Sequence, residues 1–246
     1  MYGNVDKFCS RLETVTKEIV IKSKAAHLGS SLSIINILSN FFVNFYKKKD
    51  IYPIIVSKGH AAAVYYSALY LCGDITKKEI LTYCMNNTKY PGHITKNKNY
   101  FGLPFSSGSL GHGLPFITGL AYGSKKLNKN EKYFVIISDG ELNEGTSWES
   151  LLLCNRHKLS NLKVIIDYNK FQSYGTTKEV LGLNKLKQKL NSFDLNVDEI
   201  DGHSNTQITK VLKKNSQNTH IIIANTIKGI RMGKLENQLE SHYFNK

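Results

Sequence analysis

The stretch "VIISDGELNEGTSWES", residues 135–150, runs three β-branched apolar residues into a Ser-Asp-Gly turn. It then places Asp139, Glu141, Glu144 and Glu149 within eleven positions. "VIIDYNKFQSYG", residues 164–175, is built the same way: apolar run, acid, Asn, loop. These runs predict strands over 133–137 and 163–167, with a helix over about 146–158 between them. A strand without polar alternation is buried on both faces, which is the habit of a parallel sheet.

The alternation continues in both directions. Downstream come a helix over about 183–192, a strand over 195–200, a helix over about 205–215 and a strand over 219–225. Upstream, "PIIVSKGH" predicts a buried strand from Ile54 to Ser57 running into a helix from Ala61 to Leu71. Helices are expected over 4–24 and 32–46, another after Thr76 with Glu79 three positions on, and one over 113–127 with Pro115 in its first turn. Residues 87–109 read as loop, and 226–246 as a polar, irregular tail. No repeat or linker divides the chain, so residues 1–246 are expected to form one α/β domain, a parallel sheet with helices on both faces.

Composition narrows the function classes. No apolar run approaches the roughly 18 residues of a membrane span, and the first twenty residues hold no continuous apolar core of a secretory signal. Cys9, Cys72, Cys84 and Cys154 form no CxxC pair, which suits buried or half-buried thiols in a reducing, cytoplasmic setting. The net charge is +14, yet only Arg11, Arg156 and Arg231 are Arg. Arg is the residue of bidentate base and phosphate recognition, and the Lys residues are scattered, so nucleic acid is not the expected partner. Phosphorylated small molecules or an acidic protein surface fit the charge better.

In an open parallel sheet, ligands bind at the carboxyl ends of the strands. Asp139 and Asn169 sit just past two such ends, one helical crossover apart. A carboxylate and an amide oxygen suit a hard cation such as Mg²⁺ or Ca²⁺, which completes its shell with phosphate and water. The alternative is that both residues only cap the turns that follow. "SSGSLGHG", residues 106–113, is a Gly-rich turn entering a helix, where free N–H groups can face a diphosphate. His27, His60 and His93 each stand beside glycine in a loop or at a strand end. Their spacing is not that of a zinc site.

Six segments, "AHLGSSLS", "SKGHAA", "PGH", "SGSLGHG", "DGELNEGTSWE" and "DYNKFQSYG", resemble in order and spacing the diphosphate-binding half of transketolase. The resemblance covers nearly the whole chain and implies the thiamine diphosphate-binding fold. It implies Mg²⁺ on Asp139, Asn169 and the Phe171 carbonyl, with Ca²⁺ as a substitute. It implies a cofactor lined by His60, Gly108, Ser109, Leu110, Gly111, Gly113, Asp139, Gly140, Glu141 and Asn169; the carboxylate of Glu141 is given no role of its own. His27, His60, His93 and, in "ESHYFNK", His242 would surround the substrate as catalytic groups. Glu144 and Glu149 resemble buried acids at a subunit interface. His157, His203 and His220 read as structural or exposed.

The implied reaction moves a two-carbon ketol unit from a ketose, phosphorylated or nucleotide-linked, to an aldose. The chain departs from the family at Ser138, where Gly is usual, and at His112, often Gln. The "SDG" and "SLGHGLP" forms resemble carbohydrate-cluster subunits and hint at a specialised sugar. The pyrimidine-binding domain with its catalytic Glu is expected on a separate chain, in an α2β2 assembly. The alternatives are the α subunit of a 2-oxo acid dehydrogenase or decarboxylase, and a non-catalytic partner-binding subunit.

Overall fold

The computed structural model describes residues 3–97 and 102–243, so 98–101 of the expected loop and 244–246 of the expected tail lie outside it. Helix α1 spans Val5–Ser23; the Asn4 side chain caps its start, and Lys24 ends it in the left-handed region. Two helices follow where one was expected: α2, Leu28–Ser33, and α3, Ile35–Asn44, broken at Ile34. Every residue of α2 is buried. A Gly- and Ser-rich helix with no polar face has neither propensity nor period to announce it; packing makes it helical.

Strand β1, Ile55–Val56, and a single turn at Gly59–Ala61 lead into α4, Ala62–Leu71. The Thr76–Glu79 pair closes the expected capping box on α5, Lys77–Ile80. Then come α6, Gly113–Lys126; β2, Tyr133–Ser138; α7, Gly145–His157; and β3, Leu162–Tyr168. An unexpected one-turn helix, α8, Thr177–Val180, repeats the capping box with Thr176 and Glu179. The chain continues through α9, Leu186–Asn191; β4, Asn196–Asp201; α10, Asn205–Lys213; and β5, His220–Asn225.

Among the described residues, the sheet has five strands, all parallel, in the order β1-β2-β3-β5-β4. Their side chains alternate between two cores. Val56, Phe134, Ile136, Ile165, Ile222 and Ala224 pack with α1, α3, α4 and α10. Ile55, Val135, Ile137, Val164, Ile166, Ile221 and Ile223 pack with α6, α7 and α9. The chain steps across the sheet in one direction from β1 to β4, then turns back to insert β5. A constant crossover hand requires the helix of that return, α10, to lie on the opposite face, as it does.

This topology brings three neighbouring strand ends to one edge. Ser138 of β2 is in register with Asp167 of β3, so Asp139 and Asn169 leave the sheet within a residue of the same level. The tail is irregular, as expected, and its middle is exposed, but Lys228, Ser241 and His242 near its two ends are buried. Gly29 accepts the Gly229 N–H at 3.0 Å, and His242 accepts the His27 N–H at 2.7 Å, so the tail lies across α2. Among the described residues, no helix is long and apolar enough to cross a membrane.

Candidate functional site

Asp139 and Asn169 line one narrow cavity of about 90 Å³ together with His60, Leu110, Gly140, Phe171, Gln172, Lys228 and His242. Asp139 is 1% exposed. Its oxygens accept the N–H groups of Gly140 at 2.9 Å and Lys170 at 2.7 Å. Burial, then the nearby charge of Asp167, pushes its carboxyl up to about 7. Lys58 and these two N–H donors pull the other way and do not offset the burial. Asn169 accepts the Phe171 N–H at 3.0 Å and donates from its amide nitrogen to Asp167 at 3.0 Å. Each candidate ligand oxygen keeps a lone pair free of these bonds.

Beneath this pair lies an ion pair without any solvent exposure, Lys58–Asp167. Asp167 also accepts from Ser33 at 2.7 Å and from Thr226. Burial alone would raise its carboxyl, but Lys58 and these donors more than reverse that and hold it below its usual range. Neither Lys58 nor Asp167 was expected in the site. In sequence a Lys reads as solvated, and only a partner 109 residues away makes its burial tolerable.

Glu141 is the second surprise. It is wholly buried and accepts from Ser57, from the Gly111 N–H at 3.1 Å and from the Ser138 N–H at 2.8 Å. Its carboxylate thus ties the glycine loop to the ends of β1 and β2. Ser138 has φ −85° and ψ 159°, an ordinary extended backbone, so the turn needs no glycine there. Gly111 does need one. Its φ is +78°, and a Cβ would stand 2.6 Å from that of Glu144. At Gly113 a Cβ would meet Ser57 Oγ at 2.4 Å. The Gly113 N–H donates to that same oxygen at 3.0 Å.

The four histidines converge. Ring centroids lie 5.6 Å apart for His27–His60, 5.8 Å for His27–His93 and 4.6 Å for His27–His242. His27 sits in the left-handed region at φ 72°, immediately before α2, which turns its ring toward the cluster. Burial, followed by His93 and Lys228, holds His27 down at about 4. Burial, followed by Lys228 and His27, holds His242 at about 3. Burial and Lys58 hold His60 well below 6.5. At neutral pH these three are uncharged imidazoles, able to donate and accept one hydrogen bond each.

Lys228, another residue missed in sequence, is 1% exposed; burial, then Lys58, brings it down to about 8. Gln172 Nε2 and His242 Nδ1 are buried with no hydrogen-bond partner. Two orphaned polar atoms, a buried ammonium and a carboxylate pushed up by burial around one cavity fit a group carrying both a divalent cation and phosphate oxygens. Among the described residues, no three of His, Cys, Asp and Glu are arranged to hold a metal by themselves.

The remaining expected residues fall into place unevenly. Gly140 and Leu110 line the cavity. Gly108 and Ser109 are exposed on the loop, and a Cβ at Gly108 would sit in ordinary contact with the His93 ring at 3.9 Å. Glu144 and Glu149, expected as buried acids, are both exposed in this chain. Glu144 is the extended residue entering α7, and Glu149 lies on that helix's outer side. His112 is exposed and caps α6 without a side-chain bond. His220 bonds Asp198 at 2.8 Å, His203 accepts the Ile227 N–H at 2.9 Å, and His157 packs on Tyr122, all away from the cluster.

Comparison with known proteins places the chain in a family. The family described as "Transketolase, thiamine diphosphate binding domain" matches residues 6–244. An apulose-4-phosphate transketolase subunit from Actinobacillus succinogenes is 34% identical over 97% of this chain and 91% of its own length. The 6-deoxy-6-sulfo-D-fructose transketolase subunit of a Clostridium species is 30% identical over 94% and 87%. Transketolase from Campylobacter jejuni superposes with a TM-score of 0.89 at 28% identity, covering 97% of this chain. That from Leishmania mexicana gives 0.90 at 22% identity, a likeness of fold. The chain spans about two fifths of the length of these two solved transketolases. It is a member of the transketolase thiamine diphosphate-binding domain family.

Proposed function

We propose that this chain is the diphosphate-binding subunit of a two-chain, thiamine diphosphate-dependent transketolase. One observation carries the reading: a single cavity at the strand ends joins the Asp139–Asn169 oxygens to a cluster of four histidines. The cavity's 90 Å³ is far below the roughly 300–1,000 Å³ of a complete small-molecule pocket. A second wall from another chain fits that shortfall, and relatives similar to this chain are named as subunits. The partner would carry the pyrimidine-binding domain and its activating Glu, in an α2β2 assembly. Four free thiols fit a cytoplasmic setting.

Asp139 and Asn169 would hold Mg²⁺, joined by the Phe171 carbonyl. Gln172 Nε2, Lys228 and the glycine loop would face the diphosphate. When bound, thiamine diphosphate supplies the carbon nucleophile and electron sink for cleaving and forming the carbon–carbon bond. The chain's own part is to orient and to move protons. Uncharged His27, His60 and His242 donate to substrate oxygens as charge develops on them and accept protons in turn. An anionic sugar suits the +14 chain, and the relatives' names include a sugar phosphate and a sulfo sugar.

Calorimetric titration of thiamine diphosphate with Mg²⁺, on this chain alone and with its partner, tests the reading. Binding in the mixture that disappears in Asp139→Ala is expected. No binding in a confirmed complex would leave a non-catalytic, assembly-only subunit.

A further inference from the structure

Asn169 can serve a cation only through its oxygen, and an isolated asparagine has no preference for which end of its amide faces a cavity. Here the choice is made by a neighbour. Asp167 Oδ2 lies 3.0 Å from Asn169 Nδ2. An ionised carboxylate accepts and never donates, so only the amine end of the amide can face it. The carbonyl end is left to take the Phe171 N–H at 3.0 Å, with a second lone pair available.

Asp167 is itself held from several directions. Lys58, just past β1, pairs with it; Ser33, the last residue of α2, donates to it at 2.7 Å; Thr226, just past β5, donates to its other oxygen. Lys58 is pinned in turn by the Ser30 carbonyl at 3.0 Å and Ser33 Oγ at 3.2 Å. Asp167, Lys58 and Ser33 have no solvent exposure. Because Lys58 balances its charge, Asp167 adds little net charge to the cavity. What it adds is direction.

We propose that Asp167, anchored by Lys58, Ser33 and Thr226, is a positioning residue that fixes the Asn169 amide with its oxygen toward the bound cation. The inference rests on Asp139 and Asn169 being cation ligands. It extends that reading from which residues bind to what sets their orientation. The buried ion pair thereby acquires a function beyond holding β1, α2 and β3 together.

The test is cation affinity, read with Mg²⁺ by calorimetry and with Mn²⁺ by electron paramagnetic resonance, each with thiamine diphosphate and the partner chain present. Asp167→Asn should weaken cation binding by roughly 10–100-fold, the range for groups that orient a metal ligand. The double variant Asp167→Asn/Asn169→Asp exchanges carboxylate and amide. It should recover most of the loss, since a carboxylate at 169 offers oxygen whichever way it turns. A role confined to stability would lower the melting temperature without this rescue. Unchanged cation affinity in Asp167→Asn, or a double variant as weak as the single one, overturns the proposal. If the single variant fails to fold because Lys58 is stranded, Asp167→Asn/Lys58→Met removes that charge and carries the same expectation. A wild-type complex that binds no cation would overturn the ligand assignment and this inference together. That result is distinct from a wild type that binds and variants that bind equally.

Discussion

At the residue scale, Asp139 and Asn169, which follow apolar runs, and His27, His60 and His93, which stand beside glycines, could be singled out as candidates in the sequence; His242, between Ser241 and Tyr243, was reached only through the family resemblance. Lys58, Asp167, Gln172 and Lys228 lie in or beneath the same candidate site and were not legible. Their roles depend on partners far along the chain, and a buried lysine looks like any other in sequence. The uncharged histidines lead to a pH prediction. His27 and His242 titrate at about 4 and about 3 when folded, against about 6.5 when unfolded, and His60 is shifted the same way. Below pH 6.5 the unfolded chain binds more protons, so this contribution to stability is complete above 6.5 and is lost as pH falls toward 4. His203 and His220, also held low by burial, act in the same direction. Asp139 and Glu141, both raised, act in the opposite one. Comparing wild type with His242→Gln isolates a single imidazole. The difference in melting temperature should move in the variant's favour between pH 6.5 and 4, and a constant difference would refute an uncharged His242.

Helix α6 separates two kinds of glycine at the element scale. Gly113 at its start is packed against Ser57, whereas Gly119 in its middle has nothing within 4 Å of where a Cβ would be. Gly113→Ala should push the helix off the end of β1 and break the bond from Gly113 N–H to Ser57. A loss of about 1–3 kcal/mol is expected, as for other overpacked sites, with weakened cofactor binding. Gly119→Ala should instead stabilise the isolated chain by about 0.5–1 kcal/mol through reduced freedom of the unfolded state. Urea unfolding of both variants decides; equal effects would mean that the loop is not clamped. The periodic elements were legible to within a few residues. Helix α2 and the buried ends of the tail were not, for one reason: both are polar or small-residue segments whose order comes from covering something else. The second capping box, at Thr176, was in plain view and mirrors the one at Thr76.

For the whole molecule, one wall of a site sits beside a surface that solvent does not favour. Phe116 on α6 and Leu152 and Leu153 on α7 are 36%, 59% and 41% exposed. Glu144 and Glu149 stand exposed at the start of the same α7. Their resemblance to interface acids and their exposure in this chain are reconciled if α6 and α7 are covered in the assembly. Large apolar side chains at the centre of a contact contribute most of its energy, and a charge placed there is desolvated without a partner. Leu152→Asp should therefore change the stability of the isolated chain by less than about 0.5 kcal/mol, as exposed substitutions do. The same variant should weaken assembly with the partner chain by about tenfold or more, equivalent to ~1.4 kcal/mol. Sedimentation velocity across a dilution series reads the second quantity and thermal unfolding the first. An unchanged assembly would place the contact elsewhere on the chain, and the two glutamates would then be solvated acids at a helix N-terminus, where the macrodipole alone favours them.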